Sequence, residues 1–332
     1  MPAAGLRWGL IGASDIAAGS IIPAIRSQPA SSVVAVYSRS AARGADYAGR
    51  HGIGRHHDDL GALLAQDVDA VYVSSTNDLH HSQVVAAAQA GKHVLCEKPL
   101  SMDHATGAAM VLACQEAGVV LATNHGRRHD PAVRAVRDLL SSGRLGTPLA
   151  ARTANGTSLP ERLRGWRLTD PGAGGGVVLD LVVHEADTLR FVLGDEPTAV
   201  HATTATHRLA TGGLEDSVMG VLHMAGGLLA SFFCSFATPY GPTGLEVTGT
   251  EGAVTTRRGT GGAPGLVLEH AGGVEDVVLP AAGPVGEATV AAFEAAVRGE
   301  GPPTATGQDG LRSLDVALAT LESARGGRRV PV

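Results

Sequence analysis

The chain has 332 residues, 44% of them hydrophobic, so it is long enough for two domains and can bury a sizeable core. Its 26 Lys and Arg against 32 Asp and Glu give a formal net charge of −6, which argues against nucleic acid or an anionic membrane as the main partner. The 45 glycines are scattered, which excludes a collagen repeat and indicates many tight turns.

Residues 1–124 alternate short apolar runs with helix-like stretches. This alternation predicts β-α-β units around a parallel sheet, because short, β-branched strands of this kind are covered on both faces. The predicted strands are 8–11, 33–37, 70–73, 93–96 and 119–122, and the predicted helices are 16–27, 83–90 and 105–117.

Residues 125–300 have a different character and are predicted to form a second α/β domain with a large, mostly antiparallel, open-faced sheet over about 200–279. Residues 301–332 are predicted to be a C-terminal helix and tail that pack back towards the first domain. The other predicted elements are a helix reached through 125–137, an irregular section at 155–176, helices at 177–193, 288–297 and 310–324, and a low-complexity run at 259–265.

Three cysteines, Cys96, Cys114 and Cys234, are too few for a disulfide framework, and their spacing does not suit a zinc site. A cytoplasmic location and no bound metal are therefore expected, and the N-terminal residues show no signal-peptide pattern. Residues 218–237 carry no formally charged side chain, but Gly226-Gly227 divides them. Two strands and a tight turn explain this segment better than a membrane span.

The first motif follows the first predicted strand, where Gly12, Ser14 and Ala17 occupy the three positions of G-x-G-x-x-G. The helix that follows would offer its N–H groups and positive dipole end to a pyrophosphate. The Cβ of Ser14 narrows the approach, although its hydroxyl could donate to a phosphate oxygen. By itself the motif also fits an ordinary strand-turn-helix. The cofactor contacts expected here are Gly12, Ala13, Ser14, Asp15 and Ile16.

The end of the second predicted strand carries Ser38 and Arg39, with Arg43 one helical turn on, in place of the acidic residue typical of a ribose-hydroxyl site. A hydroxyl and two guanidinium groups suit a 2′-phosphate, because arginine binds phosphate in a bidentate manner. This pattern favours NADP(H) over NAD(H). The alternative interpretation is a solvated loop with ordinary surface arginines.

Glu97, Lys98 and Pro99 follow an apolar strand at the carboxyl edge of the predicted sheet, where open α/β sheets bind ligands. A lysine there could polarise a substrate carbonyl or hydroxyl, although a lysine at a strand end can also be a plain surface residue. Cys96 is predicted to be a buried apolar residue and not a nucleophile. After the preceding strand, the polar segment from Ser75 to His80 could border the cofactor.

Asp180, His184 and Asp187 fall at i, i+4 and i+7 on one face of the helix predicted after the run Gly174-Gly175-Gly176. A histidine beside a carboxylate suits proton transfer near neutral pH. A solvent-facing polar stripe and a metal pair are the alternatives, the latter without a convincing third ligand. Trp166-Arg167 could be core packing or a substrate lid. His51, His56 and His57 are predicted to lie in a solvated loop.

Together these motifs resemble the Gfo/Idh/MocA family of NAD(P)-dependent oxidoreductases over nearly the full length of the chain. The resemblance rests on the Gly12 turn, the segment 76–80, the stretch 91–99 and the block from Gly174 to His184. The similarity is greatest to members of the 1,5-anhydro-D-fructose reductase type. Residues 125–130 depart from the histidine- and asparagine-rich segment of that type, and Thr76 stands where many relatives carry proline.

The resemblance implies an N-terminal Rossmann domain and a C-terminal sheet that often mediates homodimer or homotetramer contacts. It implies Lys98, Asp180 and His184 as the catalytic set, and a frequently cis Lys98–Pro99 bond. A carbohydrate or polyol is the implied substrate. Residues implied near the cofactor or substrate are Ser75, Thr76, Asn77, His80, Glu97, Asn124, Trp166 and Arg167.

The expected reaction is hydride transfer between nicotinamide and a ketone or secondary alcohol of a sugar, anhydro-sugar or cyclitol. Lys98 would stabilise the reacting oxygen and His184 would exchange its proton. Two alternatives remain: a redox-neutral sugar-modifying enzyme with tightly bound nicotinamide, and a non-catalytic NADP(H)-binding sensor.

Overall fold

The computed structural model describes residues 5–258 and 264–332, so residues 259–263 of the predicted low-complexity run lie outside the described residues. Two compact units are present. The first comprises the chain up to Gly126 with Gly283–Leu311, and the second comprises Arg127–Ala282 with Arg312–Val332. Within the described ranges, no helix has both the length and the apolar character needed to cross a membrane.

The secondary-structure elements are numbered along the chain. The strands of the first unit are β1 (Arg7–Ile11), β2 (Ser32–Tyr37), β3 (Arg55–His57), β4 (Ala70–Val73), β5 (His93–Cys96) and β6 (Leu121–Thr123). The strands of the second unit are β7 (Pro148–Gly156), β8 (Pro197–Ala205), β9 (Ser217–Met224), β10 (Leu229–Ser235), β11 (Thr243–Gly249), β12 (Gly252–Arg258), β13 (Pro264–His270), β14 (Gly273–Val277) and β15 (Val330–Pro331).

The helices include two π-helical turns, Ala17–Ile21 and Val178–Val182, and two 3₁₀ turns, Asn77–Leu79 and Gly126–His129. The α-helices are α1 (Ile22–Ser27), α2 (Ala41–His51), α3 (Leu60–Leu64), α4 (His80–Gln89), α5 (His104–Glu116), α6 (Pro131–Ser141), α7 (Glu161–Thr169), α8 (Val183–Leu193), α9 (Val285–Val297) and α10 (Gly307–Gly326).

The first unit contains a parallel sheet whose described strands run in the order β3-β2-β1-β4-β5-β6. All four residues of β4 are buried, as expected for a central strand covered on both faces. The predicted Rossmann-type parallel sheet is confirmed. The predicted loop containing His56 and His57 is instead the edge strand β3, which three mostly exposed polar residues do not reveal in a sequence.

Helix α9 belongs to the first unit, although its residues were predicted to belong to the second domain. The reason is packing: Phe293 is buried in the same core as Trp8, with ring centroids 5.0 Å apart. The Trp8 indole also donates to Glu294 Oε1 at 3.0 Å. An aromatic pair with a satisfied polar tip holds α9 in this core.

The second unit contains a sheet whose described strands run in the order β14-β13-β12-β11-β7-β10-β9-β8-β15. It is antiparallel apart from the parallel pair β7–β10, which confirms the mostly antiparallel sheet. β9 and β10 pair across the turn at Gly226-Gly227, as predicted for residues 218–237. The chain terminus joins this sheet through β15, which pairs Val330 with Val200 and explains why residues 312–332 lie in this unit.

Helix α7 occupies part of the section predicted to be irregular. The element was missed because Gly165 interrupts it with non-helical backbone angles, φ −4° and ψ −126°. The predicted helix at 177–193 is confirmed, and it begins with the π-helical turn that leads directly into α8.

Candidate functional site

The turn after β1 requires glycine at position 12. Gly12 has φ +112°, and a Cβ there would lie 3.0 Å from the Ser74 carbonyl carbon and the Ser75 nitrogen. An L side chain would therefore meet both backbone strain and the backbone that follows β4. The turn leaves room for a phosphate group to approach the N-terminus of the helical segment that follows. These residues fit the pyrophosphate of a dinucleotide.

Ser14 serves as the N-cap of that helical segment. Its Oγ accepts the Ala17 N–H at 3.2 Å and lies 2.7 Å from the Ser74 hydroxyl, and its carbonyl accepts the Tyr47 hydroxyl at 2.8 Å. A serine in this role satisfies one of the N–H groups that a helix start leaves unpaired. The Ser14 hydroxyl therefore stabilises the turn itself, a role that the motif alone did not indicate.

Ser38 and Arg39 follow β2 directly, and Arg43 lies in the first turn of α2. Arg43 Nη2 donates to the Ala13 carbonyl at 2.7 Å, while Arg39 is exposed and Ser38 is buried. Arg43 thus lies against the turn that would hold the cofactor. A hydroxyl and two guanidinium groups thus follow β2 within six residues, and no carboxylate lies between β2 and α2.

The predicted polar loop after β4 is a short ordered turn. Ser75 Oγ donates to Gln83 Oε1 at 2.6 Å, and Asn77 is buried. His80 is fully buried, with Nδ1 3.0 Å from the Pro99 carbonyl and Nε2 3.3 Å from the Ser75 carbonyl. Burial lowers the pKa of His80. The histidine therefore joins two loops at the carboxyl edge of the sheet.

Glu97 lies at that edge within a small polar network. Its Oε1 accepts the Tyr72 hydroxyl and also the Asn124 amide, the latter at 2.6 Å. Lys98 follows directly, half-buried, and the Lys98–Pro99 peptide is cis. Cys96 is fully buried, and burial raises the pKa of its thiol well above the usual value, so it is not a nucleophile.

The second unit presents its candidate residues on the helix that follows the glycine run. A Cβ at Gly175 would lie 2.7 Å from the Trp166 carbonyl oxygen, and Gly176 has φ +102° beside the Glu215 carboxylate. Glu215 Oε1 accepts the Val178 N–H at 3.0 Å, and burial raises the pKa of Glu215. The glycines thus admit a carboxylate that caps this helix from another part of the chain.

Asp180 lies in the π-helical turn and His184 one turn later in α8, both half-buried. Asp180 Oδ2 lies 3.8 Å from Arg167 Nε, and the Arg167 guanidinium lies 4.6 Å from the Trp166 ring centroid. A carboxylate, an imidazole and a guanidinium on neighbouring elements can bind hydroxyl groups and move a proton. π-helical turns of this kind are frequent at functional sites.

Asp187 does not share the environment of Asp180 and His184. It is 1% exposed and accepts Arg128 Nε at 3.0 Å and Arg128 Nη2 at 2.7 Å. Glu185, also 1% exposed, accepts Arg127 Nη1 at 2.6 Å. The predicted polar stripe is therefore divided, because its third member, Asp187, forms a buried ion pair that anchors α8.

No sequence motif indicated Tyr72, Glu215 or the pair Arg127-Arg128. The doubled arginine after Asn124 was visible, but its two carboxylate partners lie about 60 residues away and only folding brings them together. The sequence did not distinguish Tyr72, because a tyrosine in an apolar, β-branched run is typical of a buried strand residue. In the part of the chain that the structure describes, no group of three or more metal-type ligands lies together.

The class of protein follows from comparison with known families. Residues 6–125 match the oxidoreductase family with an NAD-binding Rossmann fold, and residues 133–255 match the GFO/IDH/MocA C-terminal domain. The chain belongs to the GFO/IDH/MocA family of oxidoreductases. It is an NAD(P)-dependent enzyme of the type that acts on CH–OH or ketone groups.

Several individual members of the family are similar to this chain over most of its length. The chain is 46% identical to 1,5-anhydro-D-fructose reductase of Ensifer adhaerens over 98% of both chains. It is 34% identical to D-xylose 1-dehydrogenase (NADP(+)) 2 of Haloferax volcanii over 70% of both. The aldose-aldose oxidoreductase from Caulobacter crescentus, solved with glycerol, has a TM-score of 0.89 at 26% identity, covering 99% of this chain and all of that one.

Proposed function

We propose that this enzyme transfers hydride between NADP(H) and a ketone or secondary alcohol of a sugar, anhydro-sugar or cyclitol. One observation supports this function above the others: the 46% identity to a 1,5-anhydro-D-fructose reductase spans 98% of both chains. Lys98, Asp180 and His184 are the ionisable groups that we assign to this reaction.

The bound nicotinamide supplies the hydride chemistry, so the protein must contribute orientation, charge and a proton. In the reductive direction, His184 gives its proton to the developing alkoxide, and the Lys98 ammonium stabilises the negative charge on the same oxygen. In the oxidative direction His184 takes that proton back. Asp180 and Arg167 orient neighbouring hydroxyl groups. Glu97 would accept a hydrogen bond from the nicotinamide ribose, and Asn124 and Trp166 would contribute to binding the cofactor and substrate.

The preference for NADP(H) rests on the end of β2. Ser38, Arg39 and Arg43 offer a hydroxyl and two guanidinium groups, and Arg43 already lies against the Gly12 turn through its bond to the Ala13 carbonyl. A 2′-phosphate would find two cations there, whereas a free 2′-hydroxyl would find no carboxylate to accept its hydrogen bond.

The test is a spectrophotometric screen at 340 nm across ketoses, inositols and anhydro-sugars, with NADPH and NADH and their oxidised forms. Turnover of at least one sugar, with a lower KM for the phosphorylated cofactor, is the expected result. A clear preference for NADH would contradict the phosphate assignment alone. The absence of turnover on the whole panel would favour the cofactor-binding sensor.

A second candidate function is favoured by the likeness to the aldose-aldose oxidoreductase. In a redox-neutral enzyme the nicotinamide stays bound and is oxidised and reduced within one catalytic cycle. Nicotinamide that survives purification, together with activity that needs no added NADP(H), would establish this alternative over the first.

We also propose that the enzyme assembles as a homodimer or homotetramer through the nine-stranded sheet. The open face has a concavity of about 830 Å³, and Met219 and Val221 of β9, which line it, are 59% and 36% exposed. Apolar side chains that stay exposed on one face of a sheet are typical of association surfaces. Light scattering coupled to gel filtration should show an oligomer, and Met219→Asp should shift it towards the monomer.

A further inference from the structure

Tyr72 is a core residue with a polar group that the mechanism above does not use. It lies in β4, is fully buried, and shares an apolar cluster with Trp8 and Leu95. A buried phenol costs free energy relative to phenylalanine unless its hydroxyl finds a partner. The Tyr72 hydroxyl has one, because it donates to Glu97.

The register of the parallel strands explains why these groups meet. Tyr72 pairs with Leu95 on β5, and Leu95 pairs with Ala122 on β6. Side chains two residues apart lie on the same face of a sheet, so Glu97 and Asn124 lie on the face of Tyr72, just beyond the strand ends. The phenol, the carboxylate and the amide therefore form a row across three neighbouring strands.

Both donors in this row reach the same atom. Glu97 Oε1 accepts the Tyr72 hydroxyl and, at 2.6 Å, the Asn124 amide. The terminal torsion of a glutamate is otherwise broad, and two donors on one oxygen fix it and direct the second oxygen. Burial, reinforced by the nearby Glu97 charge, raises the pKa of Tyr72 well above its usual value, so the phenol keeps its proton.

We propose that Tyr72 is a positioning residue that holds Glu97 in the orientation required for the nicotinamide ribose. This inference rests on the proposed function, which places Glu97 at the ribose. Tyr72 does not contact the cofactor in this scheme; it acts only through the Glu97 carboxylate. Its removal should therefore weaken cofactor binding in a way that depends on Glu97.

The test is a double-mutant cycle on the dissociation constant for NADPH, measured by fluorescence titration of the full-length protein without substrate. Tyr72→Phe keeps the ring and removes only the hydroxyl. Loss of a hydrogen bond to a charged group typically weakens an equilibrium by about tenfold, so the Kd of Tyr72→Phe should rise by about that factor. In a Glu97→Ala background the same change should alter Kd by less than about twofold. Tyr240→Phe, at a residue that is 99% exposed, is the matched control.

Thermal unfolding of each apo variant accompanies the titration, so that lost binding is separated from lost structure. If Tyr72→Phe raises Kd equally in both backgrounds while Glu97→Ala weakens binding, the positioning role of Tyr72 is overturned and the proposed function stands. If Glu97→Ala leaves Kd unchanged, the placement of Glu97 at the ribose fails, and the role of Tyr72 fails with it. A wild-type Kd for Tyr72→Phe would also overturn the proposal.

Discussion

The two units present their candidate functional residues in different ways. In the first unit these residues follow the ends of parallel strands, where Gly12, Glu97 and Asn124 come within one residue of β1, β5 and β6. In the second unit Asp180 and His184 lie on one helical segment, and distant residues fix that segment: Glu215 caps its start, and Arg128 pairs with its Asp187.

This difference has a physical consequence. Parallel strands bring their carboxyl ends to one edge of the sheet whatever the loops contain, so a strand-end site follows from the sheet itself. A helix can slide or rotate on the surface beneath it, and buried ion pairs and caps restrict such motion. Changes to the partners of the helix should therefore cost stability, whereas changes at the strand ends should alter ligand binding.

The largest effect is expected from breaking the Arg128–Asp187 pair. Both side chains are buried, at 9% and 1% exposure, so Arg128→Ala removes the close charge-assisted hydrogen bonds to the Asp187 carboxylate and leaves it the longer 3.7 Å pair with Arg190. The free energy of unfolding should fall by about 3 kcal/mol. Denaturant unfolding measures this. Arg144→Ala is the matched control, because its 2.6 Å pair with Glu275 is half exposed and should contribute less than about 1 kcal/mol. Equal losses in the two variants would contradict the anchoring role of the buried pair.

The next effect concerns turnover. His184→Ala and Lys98→Ala should each reduce kcat by about 100-fold or more, because one removes the proton donor and the other the charge on the reacting oxygen. Cofactor Kd should stay near the wild-type value in His184→Ala. Steady-state kinetics and fluorescence titration make the comparison. Near wild-type turnover in both variants would remove the catalytic assignment.

A smaller effect is expected at the end of β2. Arg43→Ala should reduce the ratio of kcat/KM for NADPH over NADH by about tenfold, since it removes one charge-assisted contact to the 2′-phosphate. Arg50→Ala lies on the same helix, where Arg50 pairs with Asp46, and should leave the ratio unchanged. Parallel kinetics with the two cofactors settle the point, and an unchanged ratio in Arg43→Ala would place the phosphate elsewhere.

The smallest effect should follow from removing the helix cap. Glu215→Ala deletes the acceptor for the Val178 N–H and should cost about 1 kcal/mol of stability, the usual magnitude for a lost N-cap. It should also lower kcat a few-fold, because Asp180 and His184 follow this helix start. Thermal unfolding and kinetics report the two effects separately. A loss of stability with fully retained kcat would show that the cap does not position the site.

The sequence by itself determined the parallel sheet of the first unit, the Gly12 turn and the helix that carries Asp180 and His184. These features follow from local patterns: strands covered on both faces are continuous apolar runs, and a turn with positive φ selects glycine. The glycine run before the helix was equally visible, but the sequence did not show that it makes room for the Glu215 carboxylate.

Only the tertiary structure decided which polar residues are functional candidates and which are structural. Asp180 and Asp187 lie on the same face by helical period, yet Asp187 forms an ion pair with Arg128, a residue 59 positions away. Tyr72 became a polar partner of Glu97 because strand register, which no local pattern encodes, set them on one face. Likewise α9 joined the first unit through Phe293 and Glu294. Burial and pairing of charge depend on contacts that are distant along the chain, and these arise only when the chain has folded.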